Sequence, residues 1–162
     1  MKATALLKEQ HAEVLGLLRQ LMNGTGRSSS VLEKLAVNLV SHMVIEQELF
    51  YPAVLKVKED LVLEGYEEHA VARFALKRLM KTSPTDRTFK AKVKTLKEII
   101  EDHIEEEEKN MFPKAEKELK DRSQTLCAEM KVLFKTTIKA GYEQTVSSRG
   151  AAVTSALAPT NA

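Results

Sequence analysis

The chain has 162 residues, 30% of them charged, and a formal net charge of +2 with acidic and basic residues interspersed. That length suits one compact domain with its own core, and the lack of a basic block argues against nucleic acid as a partner. No stretch nears the ~18 apolar residues of a membrane span, and charges from Lys2 onward leave no signal-peptide core, so a cytoplasmic protein without membrane contact is expected.

Aliphatic residues dominate the hydrophobic 43% and Trp is absent, which reads as helical. The first helix is expected over about Lys2 to Met22, with Leu7, His11, Val14, Leu18 and Leu21 on its inward stripe. Asn23-Gly24-Thr25-Gly26 stops it. A second helix begins near Ser30, where Ser30 and Glu33 have capping-box spacing, and carries Leu35, Leu39, His42, Glu46 and Leu49 until Pro52 ends or kinks it. Residues 53–63 form a connection, with room for a short helix. The third helix covers about Glu64 to Met80, aligning Gly65, His69, Ala72, Leu76 and Leu79. Ser83 caps a fourth, with Pro84 at its first position, and Phe89, Val93, Leu96, Ile100, His103 and Glu107 run to an end near Pro113.

All four stripes step by threes and fours, and short connections favour antiparallel neighbours. The expected fold is therefore all-α, an up-down-up-down four-helix bundle over residues 1–113. A further C-terminal helix is expected over 114–146, starting near Lys114 or Asp121, and covering the bundle rather than forming a dimer contact. A loosely held tail rich in Ala, Ser and Thr is expected over 147–162. Cys127, the single cysteine, reads as a small buried hydrophobe.

The four histidines all fall on inward stripes, and two belong to an internal repeat. The segment His42 to Pro52 aligns without gaps with His103 to Pro113. In each, Glu follows His by four residues (Glu46, Glu107) and Pro follows six later. Each segment has a lone His upstream, His11 or His69. Positions i and i+4 share one face of a helix, so each His–Glu pair can address one ion or two adjacent ions. His11 and His69 lie towards the starts of ascending helices, the two pairs towards the ends of descending ones. An antiparallel bundle thus brings all six side chains to one level.

Two unpartnered carboxylates inside a bundle would cost several kcal/mol each. No Lys or Arg lies on the seam at that level, whereas a pair of metal ions would satisfy imidazoles and carboxylates together. This donor set suits Fe, and leaves Zn or Mn open. The ferritin-like Glu-x-x-His pattern is missing, since Lys8, Leu39, Tyr66 and Ile100 precede the histidines by three, and no His-Glu-x-x-His of a zinc protease occurs. Of the run Glu105 to Glu108 only Glu107 keeps the seam's phase; the others read as a solvated face.

The order His, His-x-x-x-Glu, His, His-x-x-x-Glu over Leu6 to Pro113 resembles the hemerythrin-like HHE domain family. The resemblance implies a non-haem di-iron site, with His11 and His42 on one iron, His69 and His103 on the other, and Glu46 and Glu107 bridging. It departs from the oxygen-carrying members, which place a further His four residues before the one matching His69. Gly65 stands there instead, leaving an open position or room for Tyr66, Glu64 or water. The function implied is binding of O2 or a related small oxidant (NO, peroxide) for oxygen binding, sensing or detoxification. The alternatives are a small di-iron oxidase, peroxidase or NO-reducing enzyme, and an iron-buffering or iron-sensing module. Either a monomer or a homodimer is compatible with this reading.

Overall fold

A computed structural model describes residues 1–24 and 28–149. Helices α1 (Ala3–Met22), α2 (Ser28–Ile45), α3 (Tyr51–Val54), α4 (Glu59–Met80), α5 (Phe89–Glu106), α6 (Phe112–Leu119), α7 (Arg122–Ala140) and α8 (Tyr142–Arg149) follow one another. One π-helical turn, π1 (Glu46–Phe50), joins α2 to α3, and another, π2 (Glu107–Met111), joins α5 to α6. The four long helices α1, α2, α4 and α5 form the antiparallel bundle. α1 lies against α2 and α5, and α4 closes the ring against the same two. α7 covers the bundle along α1 and α2, and α8 folds back onto α2.

The apolar stripes meet in two clusters. One holds Val14, Leu18, Leu35, Leu39, Leu76, Leu79, Val93 and Leu96 in the body of the bundle. The other holds Leu7, Ile45, Phe50, Tyr51, Val62, Phe112 and Leu119, and α7 contributes Leu126, Cys127 and Met130 to it. His11, His42, His69, His103, Glu46 and Glu107 fall between them along their helices. The four histidines and two glutamates are all 0–3% exposed.

Several boundaries differ from expectation for local reasons. The predicted stop after Met22 is present, with Gly24 at φ +67°, while Thr25 and Gly26 lie outside the described residues. α2 starts at Ser28 rather than near Ser30. α4 starts at Glu59 rather than Glu64, where Glu59 and Asp60 favour the positive end of the helix dipole. Ser83 and Pro84 do not open the fourth helix: Asp86 Oδ1 accepts the Thr88 backbone N–H at 2.7 Å, a local bond that competes with helix, and α5 begins at Phe89.

Neither Pro52 nor Pro113 ends its helix. The Tyr51 N–H reaches back to the Glu46 carbonyl, and the Phe112 N–H to that of Glu107. Each ladder has therefore widened by one residue before the proline, which has no N–H to donate, arrives. At the C-terminal end the single helix expected over 114–146 is broken twice, at Lys120 (φ +48°) between α6 and α7 and at Gly141 (φ +84°) between α7 and α8. Ser147, Ser148 and Arg149, expected in the tail, belong to α8, and residues 150–162 lie outside the described residues.

Candidate metal centre

The structure brings all six predicted residues into one buried cluster. α1 supplies His11, α2 and π1 supply His42 and Glu46, α4 supplies His69, and α5 and π2 supply His103 and Glu107. Both glutamates open a π turn, the step that lets the helix re-aim a side chain without losing its ladder. Glu46 Oε2 lies 3.1 Å from His42 Nε2 and 3.2 Å from His69 Nε2. Glu107 Oε2 lies 3.4 Å from His11 Nε2 and 3.6 Å from His103 Nε2. Each carboxylate therefore stands between one histidine of the first repeat and one of the second.

Two groups have donor atoms close enough to share an ion: His11, His42 and Glu46, and Glu46, His69 and His103. They divide the histidines by repeat and share Glu46.

The imidazoles are held from behind. His11 Nδ1 is 2.9 Å from Glu108 Oε1, His42 Nδ1 is 2.9 Å from Gln10 Oε1, and His103 Nδ1 is 2.6 Å from Glu68 Oε2. An acceptor at Nδ1 keeps the proton there and turns the Nε2 lone pair inward. The inward atoms are unsatisfied: among the described residues His11 Nε2, His42 Nε2, both oxygens of Glu46 and Glu107 Oε2 are buried without a hydrogen-bond partner. Leaving such groups unpaired costs about 1–3 kcal/mol each, more when charged. A cation satisfies the whole set, so the residues fit a metal.

The electrostatics agree with ligands waiting for an ion. Burial holds the His42 and His69 imidazoles well below their ordinary pKa, and the neighbouring His11 and His103 respectively add to it. Both are thereby biased towards the neutral form, which can donate a lone pair. Burial, with the charge of Glu107 beside it, lifts Glu46 well above the carboxylate range. Burial acts on Glu107 in the same sense, but His103, His11 and His42 outweigh it and hold this carboxyl low. The two carboxyls of the cluster are thus pushed in opposite directions.

The position opposite Gly65 is filled by neither Tyr66 nor Glu64. Glu64 is exposed, and Tyr66 donates its hydroxyl to the Gln47 carbonyl at 2.9 Å. Tyr51 fills it. A Cβ on residue 65 would lie 2.6 Å from the Tyr51 hydroxyl oxygen, so the absent side chain is what admits the phenol. The Tyr51 O–H donates to Glu107 Oε1 at 2.9 Å and lies 3.3 Å from His69 Nε2, with its ring stacked on His69. Burial, then Glu107 and Glu46, push this phenol well above its ordinary pKa.

Its counterpart in the repeat, Phe112, stacks in the same way on His11. Comparing the repeats at the residue before each proline is the signal that points to Tyr51. Glu108 is likewise not a plain surface residue, since it holds His11, whereas Glu105 accepts from Lys109 and Glu106 from Asn110 on the exposed face.

Residues 2–115 match the family model described as the hemerythrin HHE cation binding domain. The chain belongs to that family. No curated protein matches the sequence. Among solved structures, this hemerythrin-like chain is similar to a hemerythrin HHE cation binding domain-containing protein of Mycobacterium kansasii. The TM-score is 0.74 at 23% identity, over 94% of this chain and 96% of the other. That coverage extends past residue 115, so the shared fold runs beyond the four-helix bundle. Among the described residues, no helix is long and apolar enough to cross a membrane.

Proposed function

We propose that the cluster holds two iron ions, His11 and His42 on one, His69 and His103 on the other, with Glu46 and Glu107 bridging, and that the ferrous pair binds O2 or a related small oxidant such as NO or peroxide. Oxygen binding, sensing or detoxification are the uses this serves. The observation that carries the reading is the set of inward Nε2 and carboxylate atoms, buried and unsatisfied, with three of the imidazoles fixed from behind. When bound, the iron pair supplies the electrons and the open coordination that a small oxidant needs.

The protein's own residues set what can reach that pair. Beside the four imidazoles, Val14, Leu39, Met43, Ile100 and Ile104 wall a cavity of about 10 Å³, room for one water-sized group. Such a space is too small for an organic substrate.

One observation favours a second reading, a small di-iron oxidoreductase acting on O2, peroxide or NO. The Tyr51 hydroxyl places an O–H donor inside the cluster, and reduction of O2 or peroxide consumes protons.

Metal analysis and the visible spectrum of protein purified without oxygen, then exposed to air, test both readings. About two irons per chain, with a persistent spectral change on exposure, supports binding; rapid turnover of peroxide or NO supports the enzyme. Zinc or manganese without a spectral response removes the oxidant chemistry. His103→Ala should lose metal while Glu105→Ala keeps it, and full metal content in the first variant would sink the ligand assignment.

A further inference from the structure

The outer face of α4 carries a pattern that the metal centre does not use. Asp60, Glu64, Glu67, Val71, Phe74, Arg78 and Lys81 recur at steps of four and three, so they form one stripe along the helix, and all are exposed. The opposite stripe, with Gly65, His69, Ala72, Leu76 and Leu79, is buried in the bundle. At the centre of the outer stripe Val71 is 54% and Phe74 64% exposed, an apolar pair on a face where a bundle helix ordinarily carries polar residues. On the N-terminal side of that pair the stripe is wholly acidic; on the C-terminal side it is wholly basic. Among the described residues Glu64, Glu67, Arg78 and Lys81 have no ion-pair partner in their own chain, and Arg78 lies over the Phe74 ring at 5.9 Å.

This stripe is complementary to itself in one orientation. Lay a second α4 antiparallel on the first, with the two-fold axis between positions 71 and 74. Val71 then faces the partner's Phe74, Glu67 faces the partner's Arg78, and Glu64 faces the partner's Lys81. A two-fold operation makes every such contact twice. A parallel arrangement would instead set acid on acid and base on base. A contact with some other protein gives no reason for the two halves of this helix to match each other.

We propose that the outer face of α4 is the interface of an antiparallel homodimer, sealed by Val71 and Phe74 and held in register by Glu67–Arg78 and Glu64–Lys81 pairs between the two copies. Exposed ion pairs contribute only ~0.2–1 kcal/mol each, so they fix register and orientation while the apolar pair supplies most of the association. A contact one helix wide is small beside the roughly 1,200 Å² at the low end of stable interfaces, so the dimer is reversible and concentration-dependent. The inference stands apart from the metal reading, because the stripe touches none of the six clustered residues.

Sedimentation equilibrium of the full chain over about 1 µM to 1 mM tests it. The mass should rise from 18.1 kDa towards twice that value, and added salt should weaken the association. Phe74→Asp should abolish the dimer while leaving helix content and metal binding unchanged. The decisive set is a charge swap. Glu67→Arg alone and Arg78→Glu alone should each weaken association by about tenfold, and the double variant should regain it. Eleven residues, about 16 Å of helix, separate these positions within one chain, so recovery can come only from a second copy. A chain that stays monomeric to about 1 mM, or a double variant no better than the singles, would overturn the proposal.

Discussion

Gly65→Ala tests the link between the missing side chain and the phenol that takes its place. In an ordinary helix interior this change gains about 1 kcal/mol through helix propensity. Here the new Cβ would lie 2.6 Å from the Tyr51 hydroxyl oxygen and 2.9 Å from the ring carbon that bears it, both well inside contact distance. Tyr51 cannot retreat easily. Its ring is fully buried, 5.5 Å from the His69 ring and 5.2 Å from that of Tyr66, and its hydroxyl is bonded to Glu107. Overpacking of this kind costs about 1–3 kcal/mol, so the net change is a loss of up to about 2 kcal/mol. At roughly 2–4 °C per kcal/mol for a chain of this size, Tm falls by several degrees. Gly16, within α1, is the control, because its added Cβ would meet only the Arg19 guanidinium at 4.0 Å. Gly16→Ala should therefore stabilise by about 0.5–1 kcal/mol. Thermal unfolding of chelated protein, followed by far-ultraviolet circular dichroism, reads both without any contribution from metal. In a Tyr51→Leu background, Gly65→Ala should lose its penalty. If Gly65→Ala stabilises the unaltered protein as much as Gly16→Ala does, Tyr51 does not depend on the glycine and the reasoning fails.

Glu68→Ala and Glu108→Ala should each weaken metal binding about 10–100-fold by freeing His103 and His11, whereas Glu106→Ala should not, as read by competition with a chelator. Metal uptake should strengthen as pH rises towards the lifted pKa of Glu46 and level off above it. The sign follows because the ion must displace the proton that Glu46 keeps below that pKa, while His42 and His69, with lowered values, are already deprotonated near neutrality. Titration calorimetry in buffers of different ionisation enthalpy should show proton release that fades with rising pH, and pH-independent release would contradict it. Tyr51→Phe should alter the visible spectrum of the ferric protein, because the phenol lies inside the cluster. Tyr66→Phe should leave that spectrum alone and lose only the ~1 kcal/mol of its bond to the Gln47 carbonyl.

The bundle and the six clustered residues were legible because they obey periodicity. A stripe at steps of three and four reports which way a side chain points, and the antiparallel order of the helices then sets its level. What periodicity does not carry is the fine geometry. Pro52 and Pro113 looked like helix ends because a regular ladder has no place for them, and the π turns at Glu46 and Glu107 are invisible to a fixed helical step. Those turns also shift the phase of everything after them. Tyr51 therefore reaches the cluster although the regular stripe, extended past Leu49, does not predict it. Glu108 fell off the seam for the same reason, and its bond to His11 joins residues 97 apart in the chain. At Gly141 a residue compatible with a long amphipathic pattern adopts the left-handed backbone that ends α7.

The repeat explains why the ligand frame occurs twice, and its divergences show that the two halves no longer offer an ion the same surroundings. Gln10 and Glu68 both precede a lone histidine and both hold the Nδ1 of the paired one, but the first is a neutral amide and the second a carboxylate. Glu108 holds His11, whereas its counterpart Gln47 is turned away from His69 by Arg73, which donates to its Oε1 at 2.7 Å. His69 Nδ1 is accordingly buried without a partner, and its ring is positioned by the face of Tyr51 instead. Phe112 gives His11 a similar aromatic face without the hydroxyl. A carboxylate behind an imidazole raises its basicity, an amide does so less, and a bare nitrogen not at all. The side of the cluster that lacks a partner for its lone histidine is also the side with the phenol. Two ions in this frame would therefore differ in the basicity of their ligands and in their distance from a phenol, so the two positions should differ in metal affinity.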